Sequence, residues 1–574
     1  MRYPLLLAAL TCAALSGCER PQSESAAPSA APAASSSPAS SPAPEAHTFS
    51  PAITAEDFLH HTTILASDAF AGRAPGTQGE TLTIEYLRDY FKSLGLSPGN
   101  GDDWYQSVPM VETTAAPVTA AVAVKGKALE WSFGSQWVAG TRTGQETIEV
   151  IDSQLVFVGY GVVAPEENWN DYAGLDVAGK TVVMLINDPG FHVDDPDLFG
   201  GRRMTYYGRW TYKFEEAARQ GATGAIIIHD TAGAAYGWGV VENGWTGPQF
   251  DLPAAEDPEP RLPLQGWITG EVAQDLFARS GLSLEAMRLA ANKRGFKPVP
   301  LPATLSATIQ STIKHSESNN VLALLPGSER PDEVVVYMGH WDHLGTMTDA
   351  AGNTQIFNGA IDNATGIAGI LEIAEAFVRG EPPKRSVLFA AVTLEESGLL
   401  GSKYYVAHPT FPMRDTVGVI NLDAMTIVGK TRDIVVTGYG ASELEDILRP
   451  IAERQGRVLH AEESVEKGYY FRSDHFNFAK AGVPALYAKS GLDNVEKGEE
   501  FGIALSEDYV ANRYHKPDDV VDPNWDLGGV VQDLEALYDV GRVLTDGDSW
   551  PNWYPGHPFR TLRDTQRAET AQSP

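Results

Sequence analysis

From Asn319 onward, short apolar runs alternate with amphipathic stretches of helical length: EVVVYMGH, GIAGILEIAEAFVRG, SVLFAAVTLEE, VGVINLDA and ELEDILRPIAERQG. Continuous apolar runs of strand length read as strands buried on both faces, and their alternation with helices predicts a mostly parallel, twisted α/β sheet sandwiched by helices. Upstream, TLTIEYLRDYFKSLGL spaces Leu82, Tyr86, Tyr90, Phe91 and Leu94 on one helical face and stops at Gly95. Between Gln154 and Leu301 the texture changes. QLVFVGYGVV and KTVVMLIN are strand-like, FEEAARQG is a short helix, and ATGAIIIHD returns to a strand. This predicts a second, smaller α/β unit inserted into the first.

The N-terminal end of the chain carries a different composition. MRYPLLLAALTCAALSGCER has one arginine, an apolar run and then Leu15-Ser16-Gly17-Cys18, a targeting pattern rather than a fold element. The last four residues resemble a bacterial lipobox; an ordinary signal peptide is the alternative. The expectation is an exported protein, lipid-anchored through Cys18 to a bacterial membrane and facing the periplasm or cell exterior. Residues 18–51 are rich in Ser, Ala and Pro and cannot bury enough apolar area to offset chain entropy, so they read as a disordered tether. Of the two cysteines, Cys12 would leave with the leader, which excludes a disulfide or a thiolate metal site in the mature chain. Acidic residues outnumber basic ones by 75 minus 43, giving a net charge of −32, which argues against nucleic acid as a partner.

Three apolar runs end on side chains able to bind a metal: VVVYMGH on His340, VLFAAVTL on Glu395 and Glu396, and VGVINL on Asp423. In open α/β sheets the crevice beyond the carboxyl ends of the strands is where ligands bind. GAIDNATG adds Asp362 before a helix, and YHKPDD adds His515. Singly, each has an ordinary reading as a turn cap, a helix-dipole residue or a surface histidine. Five on the rim of one sheet point to a site.

Taken together, His340-Trp341-Asp342, Gly359 to Gly366, EESGLLGSKYY from Glu395, NLDAM around Asp423 and Tyr514-His515 resemble the dinuclear zinc exopeptidases, the family of bacterial leucyl aminopeptidase, aminopeptidase Y and the glutamate carboxypeptidases. KFEEAARQGATGAIIIHD resembles a protease-associated domain. The resemblance implies a peptidase domain over 52–153 and 302–545, an inserted protease-associated domain over 154–301, a leader over 1–17 and a C-terminal tail over 546–574.

Carried over by position, it implies two Zn²⁺ ions per chain, with Mn²⁺ or Co²⁺ as possible substitutes. Asp362 would bridge them; His340 and Asp423 would complete one site, Glu396 and His515 the other. Glu395 matches the general base that activates a metal-bridging water. Asp342 is expected to accept the second imidazole N–H of His340, and Asp519 that of His515. Tyr470 matches an aromatic hydroxyl that polarises the scissile carbonyl, with pocket wall as its ordinary reading. His343 and His475 read as structural.

The implied function is an aminopeptidase acting on peptides. A carboxypeptidase or a glutaminyl cyclase is the alternative on the same fold, and a surface binding protein that retained the fold is the non-enzymatic one. Arg472 would suit a substrate carboxylate; Asp474, Glu499 and Glu500 would suit an ammonium.

Overall fold

The apolar runs form strands whose side chains divide between two cores. In the computed structural model, which describes residues 47–348 and 351–572, the strand Arg330–His340 sends Val335 and Tyr337 to one face of a sheet and Val334, Val336 and Met338 to the other. That alternation is the two-residue period of an extended chain. Its neighbour Arg385–Val392 is buried at every position, as expected for a strand covered on both sides.

Arg330–His340 runs parallel to Arg385–Val392 on one side and to Thr416–Asn421 on the other, and Thr416–Asn421 is parallel to Ala485–Ser490. Antiparallel neighbours flank this parallel centre: residues 321–325 beside Arg385–Val392, and Asp433–Val436 beside Ala485–Ser490. Helices Gly366–Arg379, Gly528–Asp546 and Leu444–Arg454 supply Ile370, Leu371, Leu534, Leu537, Leu444 and Leu448 to the core on one face. The upstream helix spans Gln78–Ser93, with Thr77 capping its N-terminus. Its buried stripe is Thr83, Ile84, Leu87, Tyr90 and Phe91, while Leu82 and Tyr86 are half-buried. The stripe is turned from the expected one, and the Tyr86 hydroxyl lies 2.6 Å from His61 Nδ1.

The smaller unit has its own parallel set, Thr147–Phe157, Thr181–Leu185, Gly224–Ile228 and Leu264–Ile268, closed by antiparallel Trp137–Gly140. Its two cores draw on residues between Val118 and Ile309. One strand, Val299–Leu325, joins both sheets: it pairs with Thr147–Phe157 near its start, with Tyr105–Ala115 in the middle, and with Arg385–Val392 at its end. Residues 301 and 302 thus lie inside a continuous strand. Side chains add to the connection, since Lys480 Nζ lies 3.0 Å from Glu215 and 2.6 Å from Glu259.

Past residue 546 the chain stays packed. Trp553 is fully buried, and Arg563, on helix Arg560–Gln572, donates to the carbonyls of Thr416 and Val417. The leader, Cys18 and residues 18–46 of the tether lie outside the described residues.

Candidate metal centre

His340 is the last residue of its strand; Glu395 and Glu396 follow Val392, and Asp423 follows Asn421. All therefore emerge from the carboxyl edge of the parallel sheet. The turns that aim them contain residues with left-handed backbone: Leu394 (φ 57°) before Glu395, Ala424 (φ 50°) after Asp423, and His515 itself (φ 56°). Left-handed non-glycine residues persist where the surroundings over-determine them, and such strain clusters at functional sites. Gly359 is left-handed as well, and a Cβ there would lie 2.2 Å from the Asp362 carbonyl oxygen.

Four of the expected side chains converge on the fifth. His340 Nε2 is 3.2 Å from Asp362 Oδ1 and 3.5 Å from Asp423 Oδ1. His515 Nε2 is 3.2 Å from Asp362 Oδ2 and 3.1 Å from Glu396 Oε2. Each oxygen of Asp362 thus faces a different imidazole and a different second carboxylate. Glu395 joins His340 and Glu396 in a further close group. His340 donates from Nδ1 to the Asp342 carbonyl at 3.1 Å, so that in the neutral ring Nε2 carries the lone pair, the tautomer a metal ligand needs.

Charge follows the same geometry. Burial disfavours the imidazolium of His340, but Glu395, Asp362 and Asp423 outweigh it and raise its pKa well above the ordinary value. His515 is pushed up to about 10: its burial is outweighed by Asp362 and Glu396. Asp362 is held well below the usual carboxylate range because His340 and His515 outweigh its own burial. Burial raises Glu395 well above its ordinary value; His340 opposes that shift, while Glu396, Asp423 and Asp474 add to it. The centre of the cluster is a place that stabilises positive charge.

These donors fit zinc. Imidazole nitrogen and carboxylate oxygen are its usual ligands beside thiolate, and tetrahedral bonds of ~2.0–2.1 Å put neighbouring donors ~3.3 Å apart. The spacings on either side of Asp362 are of that size. Among the described residues the buried Oδ2 of Asp342 and Nε2 of His343 find no hydrogen-bond partner, so these protein atoms leave polar capacity unused at the cluster.

Several expectations need correction. The Asp342 carboxylate is not the partner of His340 Nδ1: the nearer oxygen is 3.8 Å away and accepts the Glu395 backbone N–H at 3.2 Å instead. A turn in the chain brings the Asp342 carbonyl, rather than its side chain, to the ring. Asp519 does not orient His515 either. Its carboxylate accepts the backbone N–H groups of Ile361 and Asp362 at 3.0 and 3.1 Å, so it supports the bridging residue. Tyr470 is buried with Ala441, Phe476, Trp553 and Phe559. Among the described residues its hydroxyl has no hydrogen-bond partner, and burial first and then Glu445 raise its pKa. It is not among the clustered side chains. Asp474 is fully buried and accepts from Ser402 Oγ at 2.6 Å, while Glu499 and Glu500 are exposed or nearly so at a helix N-terminus.

Two contributors escaped the sequence reading. His343, expected to be structural, donates from Nδ1 to Glu396 Oε1 at 2.7 Å and groups with Asp362 and Glu396. Asn363 accepts from Gly366 N and Ala424 N and donates to the Leu422 carbonyl, tying the Asp362 turn to the Asp423 turn. Their signal was adjacency alone: three residues after His340, and next to Asp362.

Residues 320–538 match peptidase family M28. A probable zinc metalloprotease of Leptosphaeria maculans is 30% identical over 154 residues, covering 27% of this chain and 34% of the relative. A vacuolar membrane protease of Candida dubliniensis is 29% identical over 137 residues, covering 24% and 13%. Among solved structures, an aminopeptidase from Aneurinibacillus sp. strain AM-1 aligns over 87% of this chain and 95% of its own at 19% identity, with a TM-score of 0.45. The chain spans about a third of the length of the first curated relatives it matches.

The relatives overturn the expected location. The leader pattern suggested a lipid-anchored bacterial protein facing the periplasm or exterior, whereas vacuolar membrane proteases of two fungi are among the matches. An apolar run followed by small residues is a local requirement of export in general and does not specify a compartment. Among the described residues no helix is long and apolar enough to cross a membrane. Residues 320–538, the stretch that holds His340, Asp362, Glu395, Glu396, Asp423 and His515, are thus similar to peptidase family M28.

Proposed function

We propose that the protein is a dizinc aminopeptidase that hydrolyses N-terminal peptide bonds. The observation that carries this reading is the two-sided environment of Asp362, whose oxygens face His340 with Asp423 on one side and His515 with Glu396 on the other. A bridging carboxylate between two sets of nitrogen and oxygen donors suits two ions that share it. His340, Asp362 and Asp423 would hold one ion, and Asp362, Glu396 and His515 the other. When bound, zinc would supply Lewis acidity, lowering the pKa of water and polarising a carbonyl oxygen.

The chain's own residues then supply positioning and proton transfer. Glu395 is buried beside the cluster, with its backbone N–H fixed by Asp342. Its carboxylate takes a proton from the attacking water and returns it to the leaving amine nitrogen. Two added cations would oppose the upward pull that burial and neighbouring carboxylates exert on it, favouring the ionised base. His343 and Asp519 hold Glu396 and the Asp362 backbone against rotation. The insert, read as a protease-associated domain over 154–301, touches the larger unit through Met204, whose N–H donates to the Val465 carbonyl, and Arg203, which donates to the Tyr439 carbonyl.

The amine end is favoured by the net charge of −32, which draws an ammonium toward a carboxylate-lined crevice. One observation favours the carboxypeptidase reading. Arg472 donates to the Lys467 carbonyl and stacks on Tyr469, but among the described residues its guanidinium has no carboxylate partner, and the buried Arg209 beside it has none either. Peptides blocked at one end separate the two. Cleavage that stops on N-acetylation and survives C-amidation supports the aminopeptidase; the opposite pattern transfers the assignment to a carboxypeptidase with Arg472 as anchor. Metal content measured on the same sample should read two equivalents per chain.

A further inference from the structure

The family match begins at residue 320, yet a side chain from far upstream reaches beneath the cluster. Arg73 is 1% exposed. Its Nε donates to the Trp341 carbonyl at 2.9 Å, its Nη1 to the carbonyls of Leu65 at 2.7 Å and Asn358 at 2.6 Å, and its Nη2 to that of Gly359 at 2.8 Å. Trp341 directly follows His340, and Gly359 opens the turn that carries Asp362. The backbone carbonyl of Arg73 in turn accepts the His343 N–H at 3.4 Å. A planar guanidinium fixes its acceptors in a fork that a lysine cannot reproduce. One side chain therefore sets the distance between two ligand-bearing turns.

The charge is placed as purposefully as the fork. All four acceptors are neutral carbonyls. Burial lowers the guanidinium to about 10, and the nearby carboxylates of Asp519, Asp362, Asp342 and Glu396 act to keep it charged. The segment that presents it is conformationally costly, since Ala71, Gly72 and Arg73 all have positive φ (47°, 68° and 52°). At Gly72 a Cβ would come within 2.4 Å of the Gly345 carbonyl oxygen and 2.5 Å of that of Phe357. Strain of this kind is retained when the surroundings demand one geometry.

We propose that Arg73 is a positioning residue for the metal centre: its fork holds the His340 and Asp362 turns at the spacing that two ions require, and its charge offsets the carboxylates above it. The inference rests on the dizinc reading. It places an essential part of the site in a segment outside the family's matched stretch.

Full-length Arg73→Lys, which keeps the charge and loses the fork, and Arg73→Gln, which loses the charge, test it. Zinc affinity is measured by competition with a chelator, and unfolding midpoints are recorded with excess chelator and with excess zinc. Both variants should fold and bind zinc about 10- to 100-fold more weakly, the usual effect of losing a residue that orients metal ligands. The gap between the two midpoints should narrow. A purely structural role would lower both midpoints equally and leave zinc affinity unchanged, which overturns the proposal. Failure of both variants to fold assigns Arg73 to the core and overturns it too. If the wild type itself binds no zinc, the metal reading fails first, and this outcome is distinct from wild-type affinity in the variants.

Discussion

His343 Nδ1 lies 2.7 Å from Glu396 Oε1, while the other oxygen of Glu396 lies 3.1 Å from His515. The carboxylate is thereby locked so that one oxygen is consumed by the protein and one is presented to the cluster. Replacing His343 with alanine should leave the fold intact and weaken zinc binding about 10- to 100-fold. Equilibrium dialysis is the check, and an unchanged zinc isotherm would show that Glu396 needs no such support.

The adjacent pair Glu395 and Glu396 should separate cleanly on mutation. Glu395→Gln is expected to keep both metals and lose roughly 10²- to 10⁴-fold in turnover, the usual contribution of a positioned general base. Glu396→Gln is expected to lose metal. Metal analysis beside steady-state kinetics reads both, and the reverse pattern would mean that the roles are exchanged.

Asp519→Asn keeps the shape of the side chain that accepts the Ile361 and Asp362 N–H groups. One of those acceptors becomes an NH₂ group, so a backbone donor loses its partner in a buried site, at a cost of about 1–3 kcal/mol. The unfolding midpoint should fall, and zinc affinity with it, because both donors lie in the turn that carries the bridging residue. A drop in midpoint without any change in affinity would confine Asp519 to stability.

Chelation should abolish peptide hydrolysis, and added Zn²⁺ should restore it, since the proposed substrate activation depends on metal. Hydrolysis at the original rate by protein shown to be metal-free would falsify the dizinc reading.

Lys480 joins the two units through Glu215 and Glu259. Lys480→Ala should cost about 1–3 kcal/mol, less than a fully buried pair because all three side chains are partly exposed. Burial would raise the Glu215 pKa, but Lys480, Lys403 and Arg219 outweigh it and hold the group at about 2 against an ordinary 4.5. A carboxylate depressed on folding contributes stability above its unfolded pKa and loses it as pH falls through the folded one. The difference between wild type and variant should thus be full above pH 4.5 and shrink toward pH 2. Thermal melts across that window measure it, and a constant difference would mean that Glu215 does not draw its shift from Lys480.

The strand-ending runs at His340, Glu395 and Asp423 made the parallel sheet and its carboxyl-edge rim readable from the chain, because burial on both faces demands continuous apolar sequence and the carboxyl edge is fixed by strand direction. The five clustered side chains were legible for the same reason, together with the resemblance they carry. The location was not, since a leader's composition reflects only local requirements. The groups that hold the clustered side chains depended on which backbone atom the chain exposes. Asp342 offers its carbonyl to His340 and its carboxylate to Glu395, a choice set by dihedral angles that residue identity leaves open. His343 looked like an ordinary histidine until folding placed Glu396 beside it. Arg73 carried no local signal at all: its four acceptors lie up to 286 residues away in sequence, and only the packed chain brings them to one guanidinium. Local pattern is read from neighbours along the chain, whereas the geometry of a site is fixed by long-range hydrogen bonds that exist only once the chain has closed on itself.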